Sequence, residues 1–170
     1  FQLNEINAGG SRPQGFEPYV TKKVGVLGAG MMGAGIAYVS AVAGIDVVLK
    51  DISIEAAEKG KDYSAKLLEK KVGRGQMSAE KRDGILARIK PTVSDADFEG
   101  CDLIIEAVFE DRDLKANVTA AAERAALADA VIASNTSTLP ITGLATAVQK
   151  QDKFIGLHFF SPVDKMPLVE

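Results

Sequence analysis

Three glycines between two apolar segments constrain the fold of this chain more than any other feature. A mainly apolar segment at residues 23–27 leads into Gly28-x-Gly30-x-x-Gly33, and a second apolar segment ends at Asp51. A strand, a glycine-rich turn, a helix and an acid-tipped second strand are the parts of a dinucleotide-binding βαβ unit. The order of these parts predicts a parallel sheet with its ligand at the carboxyl ends of the strands.

Each residue of the turn has a predicted physical role. Gly28 permits the tight turn, Gly30 has no side chain to hold a pyrophosphate away from the backbone, and Gly33 lets the helix lie close to the sheet. The helix then begins at Met31 and Met32, where unpaired N–H groups and the positive end of the helix dipole favour phosphate. A glycine-rich turn in an ordinary α/β protein is the alternative interpretation.

Asp51 sets the expected choice of cofactor. Its carboxylate can accept hydrogen bonds from the hydroxyls of an adenosine ribose. Its charge would repel a 2′-phosphate, and no arginine follows in Ile52-Ser53-Ile54. The pattern therefore favours NAD over NADP.

Composition excludes several classes of function. The net charge of −3 gives no basic field for nucleic acid, and the apolar stretches are too short for a transmembrane helix. Cys101 is the one cysteine, which excludes an intrachain disulfide and fits a reducing compartment. No group of residues has the spacing of a metal site.

The remaining pattern predicts one α/β domain. Residues 1–20, rich in glycine and proline, are expected to be a linker, and 21–170 a doubly wound, mainly parallel Rossmann-type sheet with a helical hairpin inserted after strand two. The expected helices are 31–43, 53–71, 78–89, 111–127 and 141–148, and the expected strands are 23–27, 46–49, 92–93, 101–108, 130–133 and 154–157.

His158 is the one histidine of the chain and directly follows the last predicted strand. A histidine can accept a proton near neutral pH, which suits the deprotonation of an alcohol as hydride leaves. Glu170 or Asp164 could orient the imidazole and stabilise its charged form. The alternative is a histidine packed between aromatic side chains with no role.

Other polar residues follow two further predicted strands. Asn135 could bind the nicotinamide or its ribose, and Ser137 could hold the substrate oxygen, although a turn that bonds its own backbone is the favoured alternative for the Ser137 loop. Glu110 and Lys115 follow the buried strand, and their alternatives are a solvated acid and a surface charge.

Four segments together resemble a known family. Residues 28–37, 105–110, 133–139 and 158–163 are similar to the NAD-binding domain of L-3-hydroxyacyl-CoA dehydrogenases. The resemblance covers residues 21–170. Arg12-Pro13 and Ser161 are similar to the branch found in multifunctional fatty-acid β-oxidation enzymes, which carry an N-terminal hydratase half.

The resemblance implies NAD-dependent oxidation of an L-3-hydroxyacyl-CoA to the 3-ketoacyl-CoA. It makes His158 the general base, Glu170 the residue that orients it, and Ser137 the ligand of the reacting oxygen. It also implies that three residues line the nicotinamide side: Glu110, Lys115 and Asn135.

The resemblance extends to the substrate and to partner domains. The helical hairpin is expected near CoA, and the sequence does not decide which lysine contacts it: Lys66, Lys70 or Lys71. The family has a C-terminal helical domain that closes the site and commonly forms a dimer, so this chain is expected to be an excised, weakly active piece whose terminal Glu170 frays. The expected compartment is the cytoplasm in bacteria, or mitochondria or peroxisomes in eukaryotes. A related dehydrogenase for a non-CoA acid, or a cofactor-binding module inactive in isolation, remains an alternative.

Overall fold

A six-stranded parallel sheet organises the computed structural model, which describes residues 10, 13–15, 17 and 19–170. The order across the sheet is β3-β2-β1-β4-β5-β6, and every pairing is parallel. This arrangement confirms the predicted Rossmann-type fold. The predicted linker, residues 1–20, lies mostly outside the described residues. The strands are β1 (Lys23–Leu27), β2 (Asp46–Lys50), β3 (Ile89–Thr92), β4 (Leu103–Glu106), β5 (Val131–Ser134) and β6 (Phe154–Gly156).

Helices connect the strands and cover both faces of the sheet. Two of them lie between β2 and β3, which is the predicted inserted hairpin. Side-chain oxygens of Ser53, Ser78 and Asp111 accept hydrogen bonds from N–H groups of the first turns and begin three of the helices. The helices are α1 (Met31–Val42), α2 (Ile54–Gly73), α3 (Ala79–Ala87), α4 (Arg112–Ala125) and α5 (Ile141–Ala145).

The structure corrects the predicted boundary between the hairpin and the third strand. The sequence predicts a helix over 78–89 and a strand near 92–93, but α3 ends at Ala87 and β3 spans Ile89–Thr92. Pro91 lies within this strand, where it is tolerated because β3 is at the edge of the sheet and pairs only with β2. The proline therefore marks an edge strand.

Apolar side chains fill the space on each side of the sheet. One cluster joins Val26 and Leu49 to helices α1 and α2, and the other joins Ile104 and Phe98 under α4. Cys101 is in the second cluster, and burial raises the pKa of its thiol to about 11. Cys101 is thus a core residue, away from the polar residues that follow the strands. Within the described residues, no helix combines the length and apolarity that crossing a bilayer requires.

The segment after β6 folds back across the carboxyl end of the sheet. Phe159 and Val169 form an antiparallel bridge, and Val163 is buried. Val163 packs where Gly35 of α1 has no side chain, since a Cβ at Gly35 would lie 2.8 Å from the Val163 Cβ. This close approach fixes the segment 158–170 on α1.

Candidate active site

The glycine-rich turn has the backbone geometry that its sequence predicts. Gly28 has a φ of +91°, which favours glycine, and its N–H donates to the Lys50 carbonyl at 2.8 Å. A Cβ at Gly33 would lie 1.8 Å from the Gly28 carbonyl oxygen. Both glycines are therefore required by the packing of the turn against the start of α1.

Gly30 differs from its two neighbours in the motif. Its φ of −66° is open to any residue, and a Cβ there would meet no atom of the described residues within 4 Å. Gly30 also has no side chain to cap α1, so the first N–H groups of that helix receive no acceptor from the capping residue. A space kept free at a helix amino terminus fits a bound pyrophosphate.

Asp51 connects the end of β2 to this turn. Its Oδ2 accepts a hydrogen bond from the Ala29 N–H at 2.6 Å, and its Oδ1 accepts one from Ile52 at 2.7 Å. The carboxylate therefore orders the glycine-rich turn, and each oxygen keeps a second lone pair for a ligand hydroxyl.

A groove of about 460 Å³ lies between this turn and α2. Gly30, Met31 and Asp51 line one side, and Lys59, Tyr63 and Lys66 lie on the helix side. Of the three lysines open as CoA contacts, Lys66 lies in this groove, whereas Lys71 Nζ lies 5.6 Å from the centre of the Tyr38 ring. The groove combines backbone donors, an acid and two ammonium groups.

His158 and Glu170 lie side by side near the carboxyl ends of the strands, the end of the sheet at which the glycine-rich turn also lies. Nδ1 of His158 is 3.4 Å from Oε2 of Glu170. The backbones also pair: the His158 N–H donates to the Glu170 carbonyl at 2.7 Å, and the Glu170 N–H donates to the His158 carbonyl at 3.0 Å. These bonds hold Glu170 against the histidine, contrary to the expectation that it frays.

Asp164, the other acid open as a partner for the imidazole, has a different contact. Its Oδ1 accepts a hydrogen bond from the Tyr63 hydroxyl at 3.0 Å. The contact joins the segment after β6 to helix α2. The geometry therefore assigns the imidazole contact to Glu170.

The loop after β5 brings Asn135 and Ser137 to this edge. Asn135 Oδ1 accepts a hydrogen bond from the Phe159 N–H at 2.8 Å, which ties the loop to the residue next to His158. The Ser137 N–H donates to Oε1 of Glu110 at 2.9 Å. The predicted turn that bonds its own backbone is present only in part, because Glu110 reaches in from the loop after β4.

Glu110 is held ionised by its contacts. Partial burial by itself raises the pKa of this carboxyl. Hydrogen bonds from the Thr136 hydroxyl, the Ser137 N–H and Lys115 outweigh burial and lower the pKa to about 2. Glu110 is thus a hydrogen-bonded anion beside Ser137 whose side chain stays 38% exposed, so the alternative of a solvated acid holds in part.

Lys115 is buried, which excludes the surface charge of the alternative interpretation. Its Nζ lies 2.8 Å from Oε1 of Glu106 and 3.0 Å from Oε2 of Glu110. In this structure Lys115 therefore joins two carboxylates behind the loops, rather than pointing into open space.

Glu106 is the site residue that the sequence reasoning leaves without a role. Its side chain is 1% exposed, and it accepts hydrogen bonds from Val108, Lys115 and Ser134. The available signal is an acid at the end of an otherwise apolar strand, since buried carboxylates are rare unless paired.

The comparisons with known proteins decide the family. The family model described as "3-hydroxyacyl-CoA dehydrogenase, NAD binding domain" matches residues 23–170. The chain belongs to this family. NAD is accordingly its cofactor, in agreement with the prediction from Gly28 to Asp51, and the clear space at Gly30 fits it.

Solved structures agree with the family assignment. The chain is similar to (S)-3-hydroxybutyryl-CoA dehydrogenase PaaH1 from Ralstonia eutropha, with 40% identity, a TM-score of 0.83, and coverage of 88% of this chain and 53% of that one. The M. tuberculosis FadB2 structure gives 39% identity, a TM-score of 0.83, and coverage of 89% and 53%. The dehydrogenase part of multifunctional enzyme 1 from C. elegans gives 26% identity, a TM-score of 0.76, and coverage of 90% and 35%.

Length separates this chain from those proteins. The chain spans about half the length of the first two structures and about a third of the third. The similarity therefore concerns the cofactor-binding part of each.

Proposed function

We propose that this chain is the cofactor-binding and proton-transferring part of an NAD-dependent L-3-hydroxyacyl-CoA dehydrogenase. The observation that carries the proposal is the pair His158–Glu170, 3.4 Å apart, at the sheet edge that also holds the glycine-rich turn and Ser137. An oxidoreductase that acts on an alcohol needs a base and a hydride acceptor within reach of one carbon. The family assignment and the position of this edge support that combination.

His158 accepts the proton of the substrate 3-hydroxyl at the ring nitrogen remote from Glu170. The Glu170 carboxylate, beside Nδ1, stabilises the imidazolium that forms and holds the ring orientation. Ser137 donates a hydrogen bond to the reacting oxygen. When bound, NAD⁺ would supply the acceptor for the hydride that leaves the substrate carbon bearing the 3-hydroxyl.

The substrate and the setting belong to the proposal as well. Lys66 and Lys59, on the α2 side of the groove, supply positive charge for the phosphates of an acyl-CoA. The complete protein carries the helical dehydrogenase domain that shields the site, and it acts in fatty-acid β-oxidation. As the resemblance implies, it forms a dimer through that domain. Its compartment is the cytoplasm in bacteria, or mitochondria or peroxisomes in eukaryotes.

The test is reduction of acetoacetyl-CoA by NADH in the intact protein, with acetoacetate as a substrate that lacks CoA. We expect turnover with acetoacetyl-CoA and at least about a hundredfold lower kcat/KM with acetoacetate. His158→Ala is expected to lose at least about a hundredfold in kcat, because the base contributes to the transition state. Its NADH affinity, measured by fluorescence titration, is expected to stay within about twofold of wild type.

Glu170→Gln serves as a milder companion variant, because it keeps the size of the side chain and removes its charge. We expect an intermediate loss of kcat. Unchanged turnover in His158→Ala would refute the proton-transfer role. Equal turnover on acetoacetate would favour a dehydrogenase for a free acid, and NADH binding without turnover on either substrate would favour a cofactor-binding module.

A further inference from the structure

We propose that Glu106 is a positioning residue that sets the geometry of both loops facing the substrate. The proposal rests on the proposed function only for the kinetic part of its test. Glu106 is the last residue of β4, next to β1 and β5 at the centre of the sheet. Its backbone carbonyl accepts a hydrogen bond from the Asn135 N–H at 2.8 Å, and its side chain is buried.

Both side-chain oxygens of Glu106 are used. Oε1 accepts from the Val108 N–H at 2.7 Å and from Lys115 Nζ at 2.8 Å. Oε2 accepts from the Ser134 hydroxyl at 2.6 Å. Val108 lies in the loop after β4, and Ser134 is the last residue of β5, directly before the next loop. One carboxylate therefore holds the starts of both loops.

The contacts of Glu106 are passed on to Ser137 by two routes. Through Lys115 they reach Glu110, which accepts hydrogen bonds from the Thr136 hydroxyl at 2.7 Å and the Ser137 N–H at 2.9 Å. Through Ser134 they reach the Thr136 N–H, which is 3.3 Å from the Ser134 hydroxyl oxygen. Both routes end at the turn that presents Ser137.

The charges explain why a glutamate serves at this position. One ammonium group, Lys115, lies between two carboxylates, and the Glu106 and Lys115 side chains are only 1% and 3% exposed. A strand can end without a charged residue, and burying a charge is unfavourable unless the charge is paired. The charge on Glu106 holds Lys115 on the β4 side, and this fixes how far Glu110 can move with the Ser137 turn.

The test compares Glu106→Gln with Glu123→Gln. Gln keeps the shape at position 106 and removes the charge that holds Lys115. Glu123 accepts backbone hydrogen bonds from Gln149 and Lys150 at 2.9–3.1 Å, and lies near the carboxyl end of α4, away from Ser137. It therefore controls for the loss of a carboxylate that bonds to backbone without touching the site.

We expect hydrogen exchange in Glu106→Gln to be about tenfold faster at Val108 and Ser137, with unchanged rates at Ile104 and Ile105 of the same strand. In the intact enzyme kcat is expected to fall at least about tenfold, with the KM for NADH within about twofold, because displaced catalytic groups affect turnover more than binding. Glu123→Gln is expected to leave the exchange rate at Ser137 and kcat unchanged.

Ser134→Ala provides a second variant that leaves the buried charge pair intact. It is expected to raise exchange at Thr136 and Ser137 by a few fold, so a failure of Glu106→Gln to fold does not decide the matter. Wild-type exchange at Ser137 in Glu106→Gln, or in Ser134→Ala where Glu106→Gln does not fold, would overturn the positioning role. If Glu106→Gln shows faster exchange but the wild-type protein does not reduce acetoacetyl-CoA, the positioning role is supported and only the proposed reaction is contradicted.

Discussion

A single carboxylate, that of Asp51, orders the glycine-rich turn, and we propose that it also sets the choice of cofactor. Its hydrogen bond from the Ala29 N–H orders the glycine-rich turn, and its charge lies where an adenosine ribose is expected. The two roles can be separated because an amide oxygen accepts the hydrogen bond from Ala29 without the charge, at the loss of the bond from the adjacent Ile52 N–H.

Asp51→Asn is therefore expected to narrow the preference for NADH over NADPH while the turn keeps its shape. Removing the repulsion of a 2′-phosphate is expected to narrow the affinity ratio by about tenfold or more. Parallel fluorescence titrations with the two cofactors measure the ratio. Asp51→Ala, which also loses the bond to Ala29, is expected to weaken both cofactors. An unchanged ratio in Asp51→Asn would mean that another group selects NADH.

At the scale of helices and strands, local patterns predict most elements. β1, α1 and β2 follow from apolar runs divided by glycines, and Ser78, the first residue of the helix predicted over 78–89, caps α3. The predicted position of β3 is wrong because the strand is set by its pairing with β2 at the edge of the sheet, and a local sequence pattern does not contain that pairing.

The candidate site is less predictable from sequence for the same reason. The choice between Glu170 and Asp164 depends on how the segment 158–170 folds back, and that follows from the packing of Val163 against Gly35. The contacts of Glu106 depend on the register that sets it opposite Ser134. Sequence identifies Glu170 and Asp164 as candidates and gives Glu106 no role, and the partners of all three come from the tertiary structure.

The packing of α2 gives a prediction at the same scale. A Cβ on Gly60 would lie 2.8 Å from the Ala29 Cβ and 2.9 Å from the Ala29 carbonyl oxygen, so the helix rests directly on the glycine-rich turn. Gly60→Ala is expected to destabilise the fold by about 1–3 kcal/mol through overpacking, and to weaken NADH binding.

Gly84→Ala in α3 is the matched control. A Cβ at Gly84 would meet no described atom within 4 Å, so the substitution improves helix propensity without a clash. We expect it to stabilise the fold by about 0.5–1 kcal/mol with unchanged NADH affinity. Urea unfolding of both variants, with NADH titrations, checks the pair. Equal effects of the two substitutions would show that α2 moves away from Ala29 at little cost.

At the scale of the whole chain, the sheet edge, the hairpin and the segment 158–170 are joined into one unit. The backbone pairing of His158 with Glu170 closes that segment, and Val163 seats it on α1. Tyr63 is its contact with α2, because the hydroxyl of Tyr63 bonds to Asp164 across 101 positions of sequence. Tyr63 also lines the groove beside the glycine-rich turn, so it touches both the ligand space and the segment that carries the proposed base.

Tyr63→Phe is expected to loosen the segment that holds His158 while leaving the groove wall in place. A hydrogen bond from a phenol to a carboxylate contributes about 1.5 kcal/mol, so kcat with acetoacetyl-CoA is expected to fall by about tenfold if this contact helps to hold the base in place. NADH affinity is expected to change by less than about twofold, since the glycine-rich turn and Asp51 are untouched. Tyr38→Phe, which removes a hydroxyl from α1 and leaves the Asp164 contact intact, is the control in the same kinetic assay. An equal loss of kcat in both variants, or none in Tyr63→Phe, would show that the hairpin and the base are not coupled through this hydrogen bond.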